Sequence, residues 1–186
     1  MNRRMMVLAV AFALAAPGVA FGASKAEEQA EVRKAGQDAL AAVYKAQPSA
    51  RKAVESAAGY AAFSNFGMKI LLVGGGSGKG IAVNNKTKAA TYMKMAELQA
   101  GLGFGVKKFQ LVWVFETDKA LNDFINSGWE FGAQATAAAK TDDKGASYQG
   151  AVAVAPGVWL YQLTDKGLAL ELTAKGTKYF KDSDLN

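Results

Sequence analysis

The residues of this chain that could do chemistry are few in kind, because the sequence contains neither histidine nor cysteine. Histidine is the commonest general base near neutral pH and the usual transition-metal ligand, while thiolates supply nucleophiles, disulfides and iron–sulfur ligands. Four glutamates that could act in catalysis lie far apart in sequence: Glu97, Glu116, Glu130 and Glu171. No spacing among them indicates a catalytic pair. We therefore predict a binding protein that is not an enzyme and that uses no metal or cofactor.

A glycine-rich segment, Gly74–Gly80, contains Lys79 and invites comparison with a phosphate-binding loop. That motif needs a glycine five positions before its Gly-Lys pair, and a Ser or Thr after the lysine to bind magnesium. Val73 stands at the first of these positions and Gly80 at the second. The sequence therefore argues against nucleotide binding by this segment.

Four of the five glycines of this segment, Gly74, Gly76, Gly78 and Gly80, occupy alternate positions, as do those of a second segment at 101–105. Residues of one parity point to one face of a strand, so each segment would give a sheet a face without side chains. Such a face usually marks the close approach of another group. Either a neighbouring element packs on the bare backbone, which is the commoner case, or the face is a groove for an acyl chain or for a partner's backbone. In a groove, two lysines near the mouth would bind an acidic headgroup, and the candidate lipid-binding residues are Lys69, Lys79, Gly76 and Gly78.

The first residues predict a secretory signal peptide, because the basic pair Arg3-Arg4 precedes an unbroken apolar run, Met5–Ala16. The run is shorter than the roughly 20 residues of a membrane-spanning helix, and Pro17 interrupts it. Small residues then place cleavage near Gly22, and no cysteine follows to carry a lipid anchor. We expect a free protein of the periplasm or one that is secreted.

Cleavage would remove two arginines and leave 20 basic residues against 16 acidic ones, a net charge of +4. The lysines are dispersed along the chain, whereas a nucleic-acid-binding protein gathers its basic residues in a stripe. This charge favours attraction to a phospholipid or membrane surface that carries negative charge, and it does not favour nucleic acid as a partner.

A front helix is predicted for Ser24–Gln47, which is rich in the good helix formers Ala, Glu, Lys and Gln. Its apolar stripe, at helical spacing, consists of Val32, Gly36, Ala39 and Val43. The stripe contains no Trp or Phe, which favours a brace packed on the domain over a helix that lies in a membrane surface. Pro48 ends this helix. Ser49 is expected to cap a second helix through Ser56, and Gly59 to close it.

Beyond Gly59 the sequence changes to short apolar runs separated by glycines, a pattern typical of strands. Strands are predicted over 60–66, 68–73, 79–84, 89–97, 102–116, 129–140, 147–155, 158–164 and 168–173. The run Phe109–Phe115 is apolar at nearly every position, which indicates a strand covered on both faces. One inserted helix is predicted for Thr117–Ser127, with Thr117 as its cap and Gly128 after its end. The tryptophans are expected in the core: Trp113, Trp129 and Trp159.

This arrangement predicts an α+β fold, mostly an antiparallel β-sheet or barrel-like body with an N-terminal helix and one inserted helix. No stretch is long enough to be a linker between two domains. The expected organisation is a signal peptide at 1–22, a helical segment at 23–57 and a β-rich domain at 58–186.

Several motifs, in this order along the chain, carry a resemblance to a known family. They are Ala58–Phe66, the segment ending Gly78-Lys79-Gly80, Gly101–Gly105, Val114-Phe115 with the downstream Phe124, Ser127–Gly132 and Gly176–Phe180. Together they resemble the SYLF domain family over residues 52–186, and the ending at Leu185-Asn186 is similar to that of exported bacterial members.

The resemblance implies a non-enzymatic, lipid-binding module. Members from animals and fungi bind phosphoinositides through an amphipathic N-terminal helix and basic residues, and fungal members also bind actin filaments. Bacterial members are mostly exported proteins or lipoproteins. An exported bacterial protein would not normally meet actin or phosphoinositides, so those ligands are not carried over.

We therefore expect a lipid-binding protein of the bacterial envelope that recognises anionic phospholipid or a membrane surface. One alternative is a structural or adhesive envelope protein that binds another protein through an exposed strand. Another is a hydrolase that uses serine and carboxylates, although no spacing in the sequence demands one.

Overall fold

The computed structural model describes residues 24–64, 69–71, 75–98, 109–130, 148–164, 166–169 and 177–186. The predicted signal peptide and the second glycine segment, 101–105, lie outside the described residues. The three described helices are α1, Lys25–Ala46, α2, Ser49–Ser56, and α3, Asp118–Asn126. None of them is long and apolar enough to cross a membrane.

Ten described strands form one antiparallel sheet that follows α1 and α2, with α3 inserted between strands. They are β1 Gly59–Ser64, β2 Lys69–Leu71, β3 Gly75–Asn84, β4 Ala90–Leu98, β5 Phe109–Phe115, β6 Trp129–Glu130, β7 Val152–Ala155, β8 Val158–Thr164, β9 Gly167–Leu168 and β10 Thr177–Lys181. The main order across the sheet is β6-β10-β4-β3-β1-β5-β8-β7, with β2 beside β3 and β9 beside β8. The predicted α+β class with an antiparallel, half-barrel sheet is confirmed.

Helix α1 begins with a capping box, in which the Ser24 hydroxyl accepts from the Glu27 amide and the Glu27 carboxylate accepts from the Ser24 amide. The whole predicted stripe is buried: Val32, Gly36, Ala39 and Val43. It packs against β1, β3 and β5, so α1 is a brace on the sheet as the sequence predicted. At Gly36 the helix comes so close that an added Cβ would lie 2.7 Å from Ile81 Cγ2.

The short second helix differs from its prediction in two details. Pro48 is its N-cap and Ser49 its first helical residue, so Ser49 does not cap it; the Ser49 hydroxyl instead accepts from the Gln47 side chain at 2.7 Å. Gly59 does not close the helix but begins β1, where its backbone lies between β3 and β5. The C-cap is Ala57.

Strand β5 is covered on both faces, as its continuous apolar run predicted. Leu111, Trp113 and Phe115 face the interior cluster that contains α3. Val112 and Val114 face the opposite cluster, which contains α1 and α2. We call the first the inner face of the sheet and the second its outer face.

Helix α3 has the predicted boundaries, because Thr117 accepts from the Ala120 amide at its start and Gly128 adopts a positive φ of 72° beyond its end. Phe124 of this helix inserts into the aromatic core of the inner face, 4.9 Å from the Phe115 ring and 5.3 Å from the Trp113 ring. The core position predicted for Trp113 and Trp159 is confirmed, and Trp129 packs against the same core while remaining partly exposed.

The outer face is rich in tyrosine, and burial changes the acidity of three of these phenols. Desolvation by burial raises the pKa of Tyr44, Tyr148 and Tyr161, each to about 12. Tyr148 also stacks on Trp159, with ring centroids 4.4 Å apart. The shift moves these groups further from neutral pH, so none of the three is a base poised for catalysis there.

We predict that the protein loses stability as the pH rises from 10 to 12. The unfolded chain gives up phenolic protons near pH 10, whereas the folded protein retains them up to about 12, so deprotonation favours unfolding across this interval. The urea concentration at the midpoint of unfolding, measured between pH 8 and 12, should stay constant up to about pH 10 and then fall.

The matched control is Tyr161→Phe, since the Tyr161 hydroxyl is buried and makes no hydrogen bond among the described residues. This variant keeps the ring and removes one titrating group, so its midpoint should fall less steeply than that of the wild type. Parallel curves would contradict the assignment.

Candidate functional site

The glycine-rich segment is part of a strand over a greater length than the sequence predicted. Strand β3 begins at Gly75, four residues before the predicted start at Lys79, and lies between β1 and β4. Its residues 76, 78 and 80 share a face with Ala82, which belongs to the inner-face core. The bare face of β3 is therefore directed to the interior of the half-barrel.

Neighbouring side chains fill this face at the two glycines whose surroundings are described. A Cβ at Gly78 would lie 2.9 Å from Met95 Cε, and a Cβ at Gly80 would overlap the Phe63 ring and lie 2.6 Å from the Ala62 carbonyl oxygen. Phe63 itself packs edge-on against Tyr179, with ring centroids 5.0 Å apart. At Gly78 and Gly80 the close-packing interpretation is confirmed and the open groove is not found.

We predict that Gly80→Ala destabilises the fold by about 3 kcal/mol, because the added methyl group has no space and the Phe63 ring must move. Urea denaturation measures the change. The matched control is Ser77→Ala in the same strand, at an exposed position on the outer face, which should change the free energy of unfolding by less than about 0.5 kcal/mol. Equal effects of the two substitutions would contradict the packing assignment.

Lys79 does not lie at the mouth of a glycine groove, because its side chain is on the outer face, opposite the glycines. It forms an ion pair with Glu28 of α1 and lies 3.9 Å from the Asp182 carboxylate. The sequence placed it beside Gly78 and Gly80 because they are neighbours in the chain, but alternate residues of a strand point to opposite faces.

The other predicted site residues are placed by their backbones alone. Lys69 pairs with Ser77 across β2 and β3, and Gly76 pairs with Ile70 and with Glu97. The register makes Lys69 and Lys79 diagonal neighbours across the β2–β3 pair. Lipid binding by Lys69, Lys79, Gly76 and Gly78 stays a prediction.

Asp182 is the centre of an ionic cluster on the outer face that the sequence analysis did not find. Its side chain is 0% exposed, and its Oδ1 lies 2.9 Å from Lys94 Nζ. Lys94 also binds the exposed Asp184 at 2.6 Å. The hydrogen bond from Lys94 lowers the pKa of the Asp184 carboxyl, while Asp184 and then Asp182 raise the pKa of the Lys94 ammonium.

The segment 182–186 that carries this cluster also ties α1 to the sheet. The Asn186 amide donates to the Tyr92 carbonyl at 2.8 Å, and its Oδ1 accepts from the Tyr92 amide at 3.0 Å. From α1, Gln29 donates to the Leu185 carbonyl at 2.6 Å and Lys25 to the Asn186 carbonyl at 2.8 Å. Residues from three distant parts of the sequence therefore meet around Asp182.

We predict that Asp182→Asn lowers the free energy of unfolding by about 2 kcal/mol, because the Lys94 ammonium loses its buried anionic partner, although the Asn side chain keeps an oxygen that can accept. The control, Asp184→Asn, removes an exposed carboxylate from the same lysine and should have a much smaller effect. Urea denaturation at low and high salt measures both. An effect of Asp182→Asn that vanished at high salt would contradict a buried pair.

Two further features of the surface were missed by the sequence analysis. One is a pocket where α1 meets the β3–β4 hairpin, and the other is the exposed ring of Phe180 in β10, between Lys178 and Lys181. The pocket joins residues that are distant in sequence, so no local pattern marks it. The sequence Lys178-Tyr179-Phe180-Lys181 is a visible signal, since the strand period puts one of its two aromatic residues on the solvent side.

Two described carboxylates illustrate how acidic side chains are used within the fold. Glu116 accepts from the Trp159 indole at 3.1 Å, and Glu28 pairs with Lys79. Within the described part of the chain, no three such groups are clustered where they could hold a metal ion. The arrangement of the described residues is suited to binding through cations and apolar surface.

Comparison with known proteins identifies the family. Residues 96–186 match the family model Ysc84, described as a Las17-binding protein actin regulator. This part of the chain belongs to the Ysc84, or SYLF, domain family. The resemblance noted from the motifs is thereby confirmed, and the ionic segment 182–186 lies within the matched region. The Ysc84 family is associated with lipid binding and is generally non-catalytic.

A curated relative extends the similarity beyond that region. The beta cell expansion factor A of Aeromonas veronii is 35% identical over 149 residues, which are 79% of this chain and 54% of the relative. This chain therefore spans about half the length of that relative.

Proposed function

We propose that this Ysc84-domain protein is a non-enzymatic lipid-binding protein that recognises anionic phospholipid at a membrane surface. The association of the family with lipid binding supports the class of ligand. The net charge of +6, or +4 after removal of the first 22 residues, supports an anionic rather than a neutral surface.

The observation that carries this proposal is the surface of β10. Phe180 is 37% exposed and is the one large apolar side chain exposed in the part of the chain that the structure describes. Lys178 and Lys181 flank it in the sequence and are both exposed; Lys178 shares the face of Phe180, whereas Lys181 projects from the opposite face at the end of the strand. An aromatic ring beside exposed lysines is suited to the headgroup region, where the ring enters the interface and the ammonium groups meet phosphates. We call these three residues the β10 patch.

Helix α1 does not offer the membrane an apolar face in this conformation. Its apolar stripe is buried against the sheet, and the exposed residues of the helix are polar, charged or alanine, with no large apolar side chain among them. The mode of binding we propose is therefore docking of the folded domain, with about 1 kcal/mol from each lysine near an anionic surface. Such binding weakens as salt is added.

We further propose that the protein acts in the bacterial envelope, in the periplasm or after secretion. The support is the signal-peptide pattern at 1–22, with its basic start, apolar run and small residues near Gly22. Fractionation of the producing cells, with detection of a chain that begins at Ala23, tests this; a chain retained in the cytoplasm with Met1 present contradicts it.

Co-sedimentation of residues 23–186 with vesicles tests the lipid function. We predict pelleting with phosphatidylcholine vesicles that contain phosphatidylglycerol, little with pure phosphatidylcholine, and release by salt. Lys178→Gln with Lys181→Gln should weaken binding roughly thirtyfold, from the loss of two interactions of about 1 kcal/mol each. Phe180→Ser should weaken it as well, since the ring no longer enters the interface.

The charge-matched control is Lys52→Gln with Lys166→Gln, which neutralises two exposed lysines of α2 and of the β8–β9 turn. It should bind like the wild type if position matters and not only net charge. Lys69→Ala and Lys79→Ala test the site predicted from the sequence; the Lys79 variant also requires a stability measurement, because Lys79 is ion-paired. Failure of the wild type to pellet with anionic vesicles would overturn the lipid function.

A further inference from the structure

A pocket of about 170 Å³ lies on the outer face, where α1 crosses the β3–β4 hairpin. Its apolar floor comes from Ile81, Val83 and Ala90 of the two strands, together with Gly36 of α1. Its polar lining consists of Arg33, Gln37, Tyr60 and Lys88. The β10 patch is on other residues, so the two features are separate.

The charged side chains that line this pocket are all positive. Arg33 and Lys88 both line it, no carboxylate is among the lining residues, and neither cation forms an ion pair within the described part of the chain. Some other cations of α1 and the sheet are neutralised, as Lys34 is by Asp38 at 2.5 Å. Two unneutralised cations at one concave site favour an anionic ligand.

The hairpin holds Lys88 in place at a conformational cost. Lys88 has a φ of 61° and is the one non-glycine residue with positive φ in the described segments. A side chain in this region costs about 1 kcal/mol or more and persists where the surroundings fix it. Asn84 provides that constraint, since its side chain accepts from the Lys86 and Thr87 amides and its carbonyl accepts from the Lys88 amide at 2.8 Å.

The helix side of the pocket is equally well defined. The Arg33 guanidinium lies 5.2 Å from the centre of the Tyr92 ring, a cation–π contact that orients the side chain while leaving its charge unpaired. Gln37 follows one turn later on the same face of α1. Burial raises the pKa of Tyr60, so its hydroxyl is protonated and able to donate at neutral pH.

We infer that this pocket binds a phosphate ester group, with the Arg33 guanidinium and the Lys88 ammonium as its cationic ligands. A phosphate has several acceptor oxygens and suits a site with guanidinium, ammonium, amide and hydroxyl donors. Pockets for whole small molecules usually measure about 300–1,000 Å³, so the pocket accommodates a headgroup and not an acyl chain. A lipid headgroup and a soluble phosphate ester share this chemistry; the lipid source rests on the proposed function, while the pocket itself does not.

Titration of the ¹⁵N-labelled protein with glycerol 1-phosphate at constant ionic strength tests the pocket directly, with glycerol as the neutral control ligand. We expect saturable amide shifts at Gly36, Gln37 and Lys88 with the phosphate ester and none with glycerol. The double variant Arg33→Gln with Lys88→Gln should lose these shifts, and the charge-matched pair Lys52→Gln with Lys166→Gln should retain them. Absence of saturable shifts at the pocket in the wild type would overturn the inference.

A second variant separates binding from folding. Lys88→Gly removes the cation and also relieves the positive φ, so it should melt at or above the temperature of the wild type while losing the amide shifts. Amide shifts retained when Lys88→Gly is combined with Arg33→Gln would overturn the assignment of the two cations as phosphate ligands.

Vesicles then distinguish the source of the phosphate. Loss of phosphatidylglycerol-vesicle binding in the Arg33→Gln, Lys88→Gln variant supports the lipid headgroup as the ligand. Pocket shifts with glycerol 1-phosphate, but unchanged vesicle binding in this variant, support a soluble phosphate ester. If the wild type binds no vesicles while its pocket amides still shift, the proposed lipid function fails and the phosphate pocket stands.

Discussion

The position of α1 on the sheet depends on one buried carboxylate. Asp182 is fully enclosed, and it holds Lys94 of β4 directly and approaches Lys79 of β3, which in turn binds Glu28 of α1. A buried charge is tolerated only when opposite charges and hydrogen bonds compensate its desolvation, so these four side chains must keep their arrangement together. The same segment hydrogen-bonds to α1 and to Tyr92. These contacts therefore fix one end of the seam between helix and sheet, and the buried apolar stripe of α1 holds the rest of it.

This constraint divides the cations of the protein into two groups. Lys79 and Lys94 are neutralised by carboxylates and maintain the fold. Arg33 and Lys88 form no ion pair within the described part of the chain, and they retain the charge that an anionic ligand would meet. A formal net charge gives no account of this division, because it counts an ion-paired lysine and a free one alike. The separate roles become visible once the strand faces are known.

The sequence predicted those features that depend on neighbouring residues. The stripe of α1, the caps of α3 and the bounds of β8 follow from periods and capping preferences that act within a few residues. The sequence did not predict the ionic contacts of Lys79, because Asp182 lies about a hundred positions away and no local pattern connects the two residues. The pocket was missed for the same reason, since Arg33 and Lys88 come from a helix and a hairpin that only the sheet register brings together. The glycine alternation was read correctly as a bare strand face, but the residues that fill it, Phe63 and Met95, belong to other strands.

Strand β4 connects the two proposed contact surfaces through its outer face. Ala90 lines the pocket, Tyr92 supports Arg33, and Lys94 binds Asp182, so alternate residues of one strand carry these three features in sequence. Phe180 is the register partner of Lys94 in β10, and directly opposed residues of an antiparallel pair project from the same face. At about 3.3 Å per residue, four residues of β4 separate the pocket from the level of Phe180 by roughly 13 Å. The phosphate pocket therefore belongs to the same side of the sheet as Phe180 and Lys178, so one anionic surface on that side could meet both.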